Sequence, residues 1–373
     1  MKICCVFNYA PHYRYPIYEL MSKNFDVDFY FGDKLDNGEN IKKFSYKQLD
    51  GFKNEFEVKK FPGFIVWKGL LPLLFKHYDI YILSGKTRIL NQWLFLLIAK
   101  ILGKQTYNWW HGFAPGRKLQ GLNFVKEKVF FNLFSGHFIY GDKARKYMIE
   151  KGFKSKKMVT IYNSLDYETS IKMRQRDLQY DIYKKHFNNN FPTLIFIGRL
   201  NKIKKLDIII LAYRKLQSMG FNCNIAFIGD GPERKKLEEL SNYDKNIWFY
   251  GALYDENIIA SLLYNADLCL SPGNVGLTAI HAIYYGLPVI TNNNFTYQMP
   301  EHEAIVPLKT GDFFTENDVD SLVTVIINWF KKNPNRERIR NECYKVADTK
   351  FNPYYQISVL KQMILRDKFT KIT

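Results

Sequence analysis

Three short segments in the second half of the chain place glycines and cations where an apolar run gives way to a helix pattern. The first is Phe196-Ile197-Gly198-Arg199-Leu200-Asn201-Lys202-Ile203-Lys204-Lys205-Leu206-Asp207. A strand pattern ends at Gly198 and a helix pattern begins near Leu206, so one arginine and three lysines lie between them. Cations at the carboxyl end of a strand, beside a helix N-terminus, suit a diphosphate. The guanidinium of Arg199 can make planar bidentate contacts, and an ammonium such as that of Lys204 supplies a point charge. The second segment, Ile228-Gly229-Asp230-Gly231-Pro232-Glu233, is a tight turn with proline starting a helix, a pattern common enough to carry little alone. The third is Leu270-Ser271-Pro272-Gly273-Asn274-Val275-Gly276-Leu277-Thr278-Ala279-Ile280-His281-Ala282. Here the amides of Val275, Gly276, Leu277 and Thr278 are expected to stand unpaired at a helix N-terminus, where the helix dipole makes them an anion site. Thr278 can add a hydroxyl. His281, one turn later, either points at the same ligand or packs inward.

The first half offers fewer reactive groups. His111, in Asn108-Trp109-Trp110-His111-Gly112, ends a strand pattern. His12 and Arg14 lie on the loop after the first strand, where they either meet a ligand or sit on the surface. Two Asp-x-Asp pairs exist, but Asp26-Val27-Asp28 starts a strand and Asp318-Val319-Asp320 opens a helix. Neither follows a strand, where such a pair would be placed to hold a metal, so no metal and no other cofactor is expected. The cysteines (Cys4, Cys5, Cys223, Cys269, Cys343) are scattered and odd in number, which suits reduced, packed thiols better than bridges or zinc ligands.

Taken together, the three segments resemble the retaining, nucleotide-sugar-dependent glycosyltransferases of family 4, of the bacterial surface-polysaccharide type. The resemblance covers about residues 190–310 and is looser before them. It rests on Gly198-Arg199-Leu200 with Lys204, on Gly229–Pro232, and on Gly286-Leu287-Pro288-Val289-Ile290. It implies a GT-B fold: two Rossmann-like, doubly wound α/β domains facing across a cleft. It implies that Arg199 and Lys204 hold the donor diphosphate and neutralise the leaving group, and that His111 touches the transferred sugar. The donor would lie against Gly198, Gly229, Gly273, Asn274, Val275, Gly276, Leu277, Thr278 and His281, with His12 and Arg14 on the acceptor side. Two departures stand out. The family usually carries two glutamates seven residues apart, one for donor-sugar hydroxyls and one for the ribose; Gly273 and His281 stand there. Glu301 or Glu303 could supply a replacement carboxylate. A glycine pair expected after the first strand is replaced by Ala10-Pro11-His12-Tyr13.

The elements that must position these residues alternate along the chain. Strand patterns at Ile3–Phe7, Val27–Phe31, Tyr78–Leu83, Gln105–Trp110 and Gly136–Tyr140 alternate with helix patterns, which argues a parallel sheet. Residues 163–190 are polar, lack a strand pattern and read as a connector. The alternation restarts at Thr193–Ile197 and runs through Pro288–Thr291, and helix patterns near Asp318–Lys331 and Pro353–Leu365 close the chain. The expected domains are 1–165 on the acceptor side and 166–350 on the nucleotide-sugar side, with a helix in 351–373 packing back on the first. Ligands of open α/β sheets sit beyond the carboxyl ends of the strands, so two facing domains would share one site.

Charge and hydropathy narrow the partners. Of 373 residues, 54 are Lys or Arg and 36 are Asp or Glu, a formal net charge of +18. Residues 1–165 hold 27 of the cations and only 13 of the acids. Such a basic half calls for an anionic partner or is simply a solvated lysine-rich surface. No nucleic-acid-binding module is recognisable, so nucleic acid is set aside. No apolar run reaches the roughly 18–20 residues of a membrane-spanning helix; the candidate Trp93–Ala99 is broken by Lys100. Met1-Lys2 runs straight into Ile3–Phe7, which reads as a strand and not a signal peptide. Lys59–Lys68 and Arg117–Phe134 mix cations with large apolar residues. The expectation is a cytoplasmic protein, peripheral on the anionic inner face of the membrane, moving a sugar from a nucleotide-sugar donor to a saccharide or lipid-linked acceptor. The rivals are a non-catalytic nucleotide-sugar-binding protein and a sugar-nucleotide epimerase of similar layout.

Overall fold

The structure, a computed structural model, describes residues 1–35, 41–176, 178 and 181–369; the end of the expected C-terminal segment, from 370 onward, lies outside the described residues. The chain divides into two compact units. Met1–Asp166 and the C-terminal helix Pro353–Phe369 form one, and Tyr167–Asn352 forms the other.

The first unit contains β1 (Lys2–Phe7), β2 (Asp26–Gly32), β3 (Phe52–Phe56), β4 (Val58–Phe61), β5 (Phe64–Trp67), β6 (Ile80–Leu83), β7 (Gln105–Trp110), β8 (Gly136–Ile139) and β9 (Met158–Thr160). Seven of these make a parallel sheet in the order β3-β2-β1-β6-β7-β8-β9, while β4 and β5 form a separate antiparallel hairpin. Both faces of the sheet are covered, which is why a strand such as Ile80–Leu83 is apolar throughout and buried at every position. One face carries α1 (Tyr15–Asn24) and the C-terminal helix, where Ile17, Tyr18 and Met21 share a core with Ile357, Leu360 and Met363. Gln356, fully buried on that helix, accepts from Ser164 Oγ at 2.7 Å and donates to Tyr162 O at 2.8 Å, so its amide is satisfied where no water reaches. The other face carries the hairpin, α2 (Leu90–Ile101), α3 (Gly121–Leu133) and α4 (Asp142–Glu150) through Phe95, Phe130, Phe131 and Met148. Cys4 and Cys5, successive on β1, enter the two opposite cores.

The polar stretch 163–190 differs from the expected connector. Its described residues include two helices, α5 (Tyr167–Arg174) and α6 (Ile182–Phe187), and Tyr183 is buried with its hydroxyl on Leu262 O at 2.8 Å. The second sheet then runs through β10 (Thr193–Ile197), β11 (Asn224–Ile228), β12 (Ile247–Gly251), β13 (Leu268–Ser271), β14 (Val289–Asn292) and β15 (Gly311–Phe314). Its helices are α7 (Asp207–Ser218), α8 (Arg234–Leu240), α9 (Glu256–Asn265), α10 (Thr278–Tyr284), α11 (Val319–Lys332) and α12 (Arg336–Thr349). The strands are parallel in the order β12-β11-β10-β13-β14-β15. Strand order therefore reverses between β10 and β13, and the crevice at such a switch point is where open α/β sheets take ligands. All five cysteines are buried and unbridged, and burial pushes the thiols of Cys223 and Cys269 up to about 12.

Candidate active site

The loops that leave β10, β11 and β13 meet at the switch point of the second unit. The β10 and β11 loops run backbone against backbone: Gly198 N donates to Ile228 O and Leu200 N to Asp230 O, each at 2.9 Å. A Cβ at Gly229, whose φ is 140°, would stand 1.9 Å from the carbonyl oxygen of Gly198. Gly229 is therefore required by the neighbouring loop as well as by its turn.

The β10 loop lies equally close to the β13 loop. Lys204 Nζ donates to the carbonyl oxygen of Asn274 at 2.5 Å. A Cβ at Gly273 would reach within 2.1 Å of Ile203 O and 2.7 Å of the Lys204 backbone. The place that usually holds a carboxylate in the resembled family is thus occupied here by another stretch of chain. Thr278 Oγ donates to Ile197 O at 3.2 Å, tying the start of α10 to the end of β10. The single hydroxyl proton of Thr278 is committed there, which differs from the expectation that it faces an anion.

The amide of Val275 also departs from the expected open set. Val275 is fully buried, and its N–H donates to Gln298 Oε1 at 2.9 Å, because a buried amide left unpaired is costly. Gln298 Nε2 donates in turn to Gly273 O and Thr291 Oγ, each at 3.0 Å. Among the described residues no acceptor takes the amides of Gly276, Leu277 or Thr278. These three are the donors left to meet an anion at the start of α10.

The cations differ in setting. Arg199 is exposed, and among the described residues its guanidinium has no ion pair. Lys204 is half-buried; burial lowers its ammonium pKa, opposed by the charge of Glu301. Glu301 is buried in the turn Pro300–Ala304, while Glu303 is half-buried. Lys205 is held by Glu316 at 2.6 Å. His281 is fixed from α9: its Nε2 lies 2.9 Å from Glu256 Oε1, which also accepts from the hydroxyl of Tyr285 at 2.5 Å. Burial pushes the Glu256 carboxyl up, but the hydrogen bond and charge of His281 and the Tyr285 hydroxyl outweigh it and hold the net value low. Gln298 and Glu256 are the site residues that sequence reasoning missed. Neither carries a motif, and each reaches its partner across more than 20 positions, Gln298 to Val275 and Glu256 to His281.

In the first unit His111 is exposed just past the end of β7, with its ring 5.0 Å from that of Tyr140. His12 is also exposed, its Nδ1 3.1 Å from Lys42 O. Arg14 differs from a loop residue reaching outward. Its guanidinium stacks 4.7 Å from the Trp109 ring and 5.2 Å from that of Tyr18, and it donates to the Tyr140 hydroxyl. Aromatic faces attract a cation, so Arg14 is held among rings. The two Asp-x-Asp pairs serve structure. Asp28 pairs with Lys2 at 3.1 Å and Lys53 at 3.3 Å, and Asp318 caps α11 by accepting from the Ser321 amide at 2.9 Å. Among the described residues no three His, Cys, Asp or Glu side chains gather as a metal site.

Residues 180–346 match the family described as Glycosyl transferases group 1. Over 98% of this chain and all of the other, the structure superposes on the lipopolysaccharide outer core galactosyltransferase WaaB, apo form, with a TM-score of 0.69 at 13% identity. The fold is GT-B. HepE of Anabaena, solved in complex with UDP, gives a TM-score of 0.68 at 16% identity over 98% of this chain and 100% of that one. Glycogen synthase 2 of Nitrosococcus oceani is 30% identical over 149 residues, which are 37% of this chain. The GT-B chain thus spans 30% of that curated relative's length.

Proposed function

We propose that the protein is a family 4 glycosyltransferase that moves a sugar, with retention, from a nucleoside diphosphate sugar to a saccharide or lipid-linked saccharide acceptor in envelope polysaccharide synthesis. The observation that carries this reading is the meeting at one switch point of an exposed Arg199, without an ion pair among the described residues, a half-buried Lys204 and the amides of Gly276, Leu277 and Thr278. Negative charge grows on the leaving diphosphate as the glycosidic bond breaks. Donors already aimed at that charge lower the barrier without reorganising, usually the largest single contribution to catalysis. The UDP bound by HepE supports a nucleoside diphosphate as the ligand class. In this reading His111 offers its exposed ring for a hydrogen bond to the transferred sugar, and His12 is the candidate for the acceptor side. No cofactor enters the scheme. The workplace is the cytoplasmic face of the membrane, where the excess of cations in residues 1–165 suits an anionic surface.

The test is release of nucleoside diphosphate by purified protein against a panel of nucleotide sugars, with and without saccharide acceptors, followed by the anomeric configuration of the product. Binding without hydrolysis or transfer points instead to a non-catalytic nucleotide-sugar-binding protein. An altered sugar nucleotide formed without any acceptor points to an epimerase.

A further inference from the structure

Helix α2 is apolar on two opposite sides. Its inner side, Gln92, Phe95, Leu96 and Ala99, is buried against the sheet. Its outer side presents Leu90, Leu94, Leu97 and Ile101, at 56%, 48%, 47% and 83% exposure. Spacings of four, three and four residues put these on a single stripe along the helix. The neighbouring α3 repeats the arrangement with Leu122, 88% exposed, and with Val125 and Val129. The two helices touch through Trp93 and Phe130, whose rings lie 4.9 Å apart, so both stripes belong to the same outer layer. The hairpin β4–β5 lies beside α2 in that layer, with Ile65 N donating to Arg88 O at 2.8 Å, and exposes the stacked rings of Phe61 and Phe64. Isolated exposed leucines are ordinary on a protein surface, but aligned stripes on adjacent helices mark a surface meant to be covered.

The charge around the stripes selects what covers them. Residues 86–129 hold eight Lys or Arg and one acid, Glu127, which is itself paired with Arg117 at 2.8 Å. Lys86, Arg88, Lys100, Lys118 and Lys126 are exposed. A second copy of the chain docked through this face would set cations against cations, which is repulsive. Single-stranded nucleic acid would call for stacking rings, whereas the centre of this face is aliphatic. An apolar stripe flanked by cations fits the interface of an anionic bilayer, with leucines at the acyl boundary and lysines among the headgroups. No helix among the described residues is long and apolar enough to cross a membrane.

We propose that the outer faces of α2 and α3 are a monotopic docking surface for an anionic lipid bilayer. It deepens the reading of a transferase with a lipid-linked acceptor by naming the surface that meets the membrane. The docking itself is measurable without turnover.

The experiment is flotation of the full chain with phosphatidylglycerol-rich vesicles or with phosphatidylcholine vesicles, alongside light scattering and donor hydrolysis on the same samples. The wild type floats with the anionic vesicles and not with the zwitterionic ones. Leu94→Glu with Leu97→Glu lowers the vesicle-bound fraction by at least about tenfold while melting and donor hydrolysis stay unchanged, since both side chains face outward. Lys86→Gln and Lys100→Gln each weaken binding by roughly fivefold at low salt, the worth of one cation near an anionic leaflet. Absence of wild-type binding to anionic vesicles, or equal binding by the leucine variants, overturns the proposal. So does a wild-type dimer that the leucine variants split without any vesicle binding. Vesicle binding with no donor turnover sinks the transferase reading alone, and donor turnover with no vesicle binding sinks the docking surface alone.

Discussion

Lys204 and Asn274 stand 70 residues apart in sequence, yet the ammonium of one donates to the backbone carbonyl of the other at 2.5 Å. That contact ties the loop after β10 to the loop after β13 on the two sides of the switch point. It also aims a cation held partly out of water. A charge in such a setting acts on a neighbouring phosphate more strongly than one in bulk solvent.

Lys204→Ala should therefore lower turnover by about 10²–10³, the range seen when a single preorganised donor is removed from a transition state. The melting temperature should move little, because one polar contact is lost with only part of a side chain's burial. Arg199 is exposed and carries no ion pair among the described residues, so Arg199→Ala should cost turnover with even less effect on folding. Arg199→Lys should recover only part of the loss, since an ammonium cannot make the planar two-point contact. Initial rates of nucleoside diphosphate release check all three. Near-wild-type rates for Lys204→Ala would remove the diphosphate from this loop.

Gly273 should resist restoration of the carboxylate that the resembled family usually has there. Its absent Cβ is replaced by Ile203 O, 2.1 Å from where that atom would be. Gly273→Ala should cost about 1–3 kcal/mol, as overpacking of a close contact does, and should lower turnover by moving Lys204. Gly273→Glu should be worse on both counts. Thermal unfolding with parallel rates decides this; a stable and more active Gly273→Glu would mean that the loop is not where it is described.

Gln298 should matter for stability first and for binding second. Gln298→Leu keeps the volume but leaves the buried Val275 amide without its acceptor, at about 1–3 kcal/mol, while the Gly273 carbonyl keeps the Asn292 amide at 2.9 Å. Because the same loop carries Gly276 and Leu277, affinity for a nucleoside diphosphate should fall with it. Denaturant unfolding measures the first effect and titration calorimetry the second. An unchanged unfolding midpoint would show that the hub contributes nothing.

Much of the scaffold was legible because its signals are local. Gln105–Trp110 and Thr193–Ile197 could be read at their observed limits, since a strand-length run that is buried almost throughout needs only its own residues. The elements missed were those whose burial depends on distant chain. α12 reads as charged surface, yet it buries Ile339, Cys343 and Ala347 and lays the Arg340 guanidinium 3.4 Å over the Tyr264 ring. β3 alternates weakly, and α5 and α6 lie in a stretch whose polarity hid Tyr183. At the site the same divide holds. The glycines and cations announce a loop after a strand, but nothing in the sequence says that Val275 will spend its amide on Gln298, or that Arg14 will turn in among rings.

The pairing of His281 with Glu256 leads to a pH dependence with a definite sign. Glu256 is held below its ordinary pKa of about 4.3 in the folded protein, despite partial burial, by His281 and by the Tyr285 hydroxyl. A carboxyl whose folded pKa is depressed binds its proton more readily in the unfolded chain. The stability it contributes is present in full above the unfolded value and is lost as pH falls through the folded one. Glu256→Gln should therefore be less stable than the wild type at pH 7, and the gap should narrow as pH falls below the unfolded value and close once pH lies below the depressed folded one. If His281 depends on this carboxylate for its orientation toward a ribose, Glu256→Gln should also weaken nucleotide binding at pH 7 more than His281→Gln combined with Glu256→Gln weakens it beyond His281→Gln alone. Unfolding curves from pH 3.5 to 8 and nucleotide titrations on the four proteins measure both effects. A stability gap that stays constant across that range would show that the carboxylate is not the source of the pairing energy.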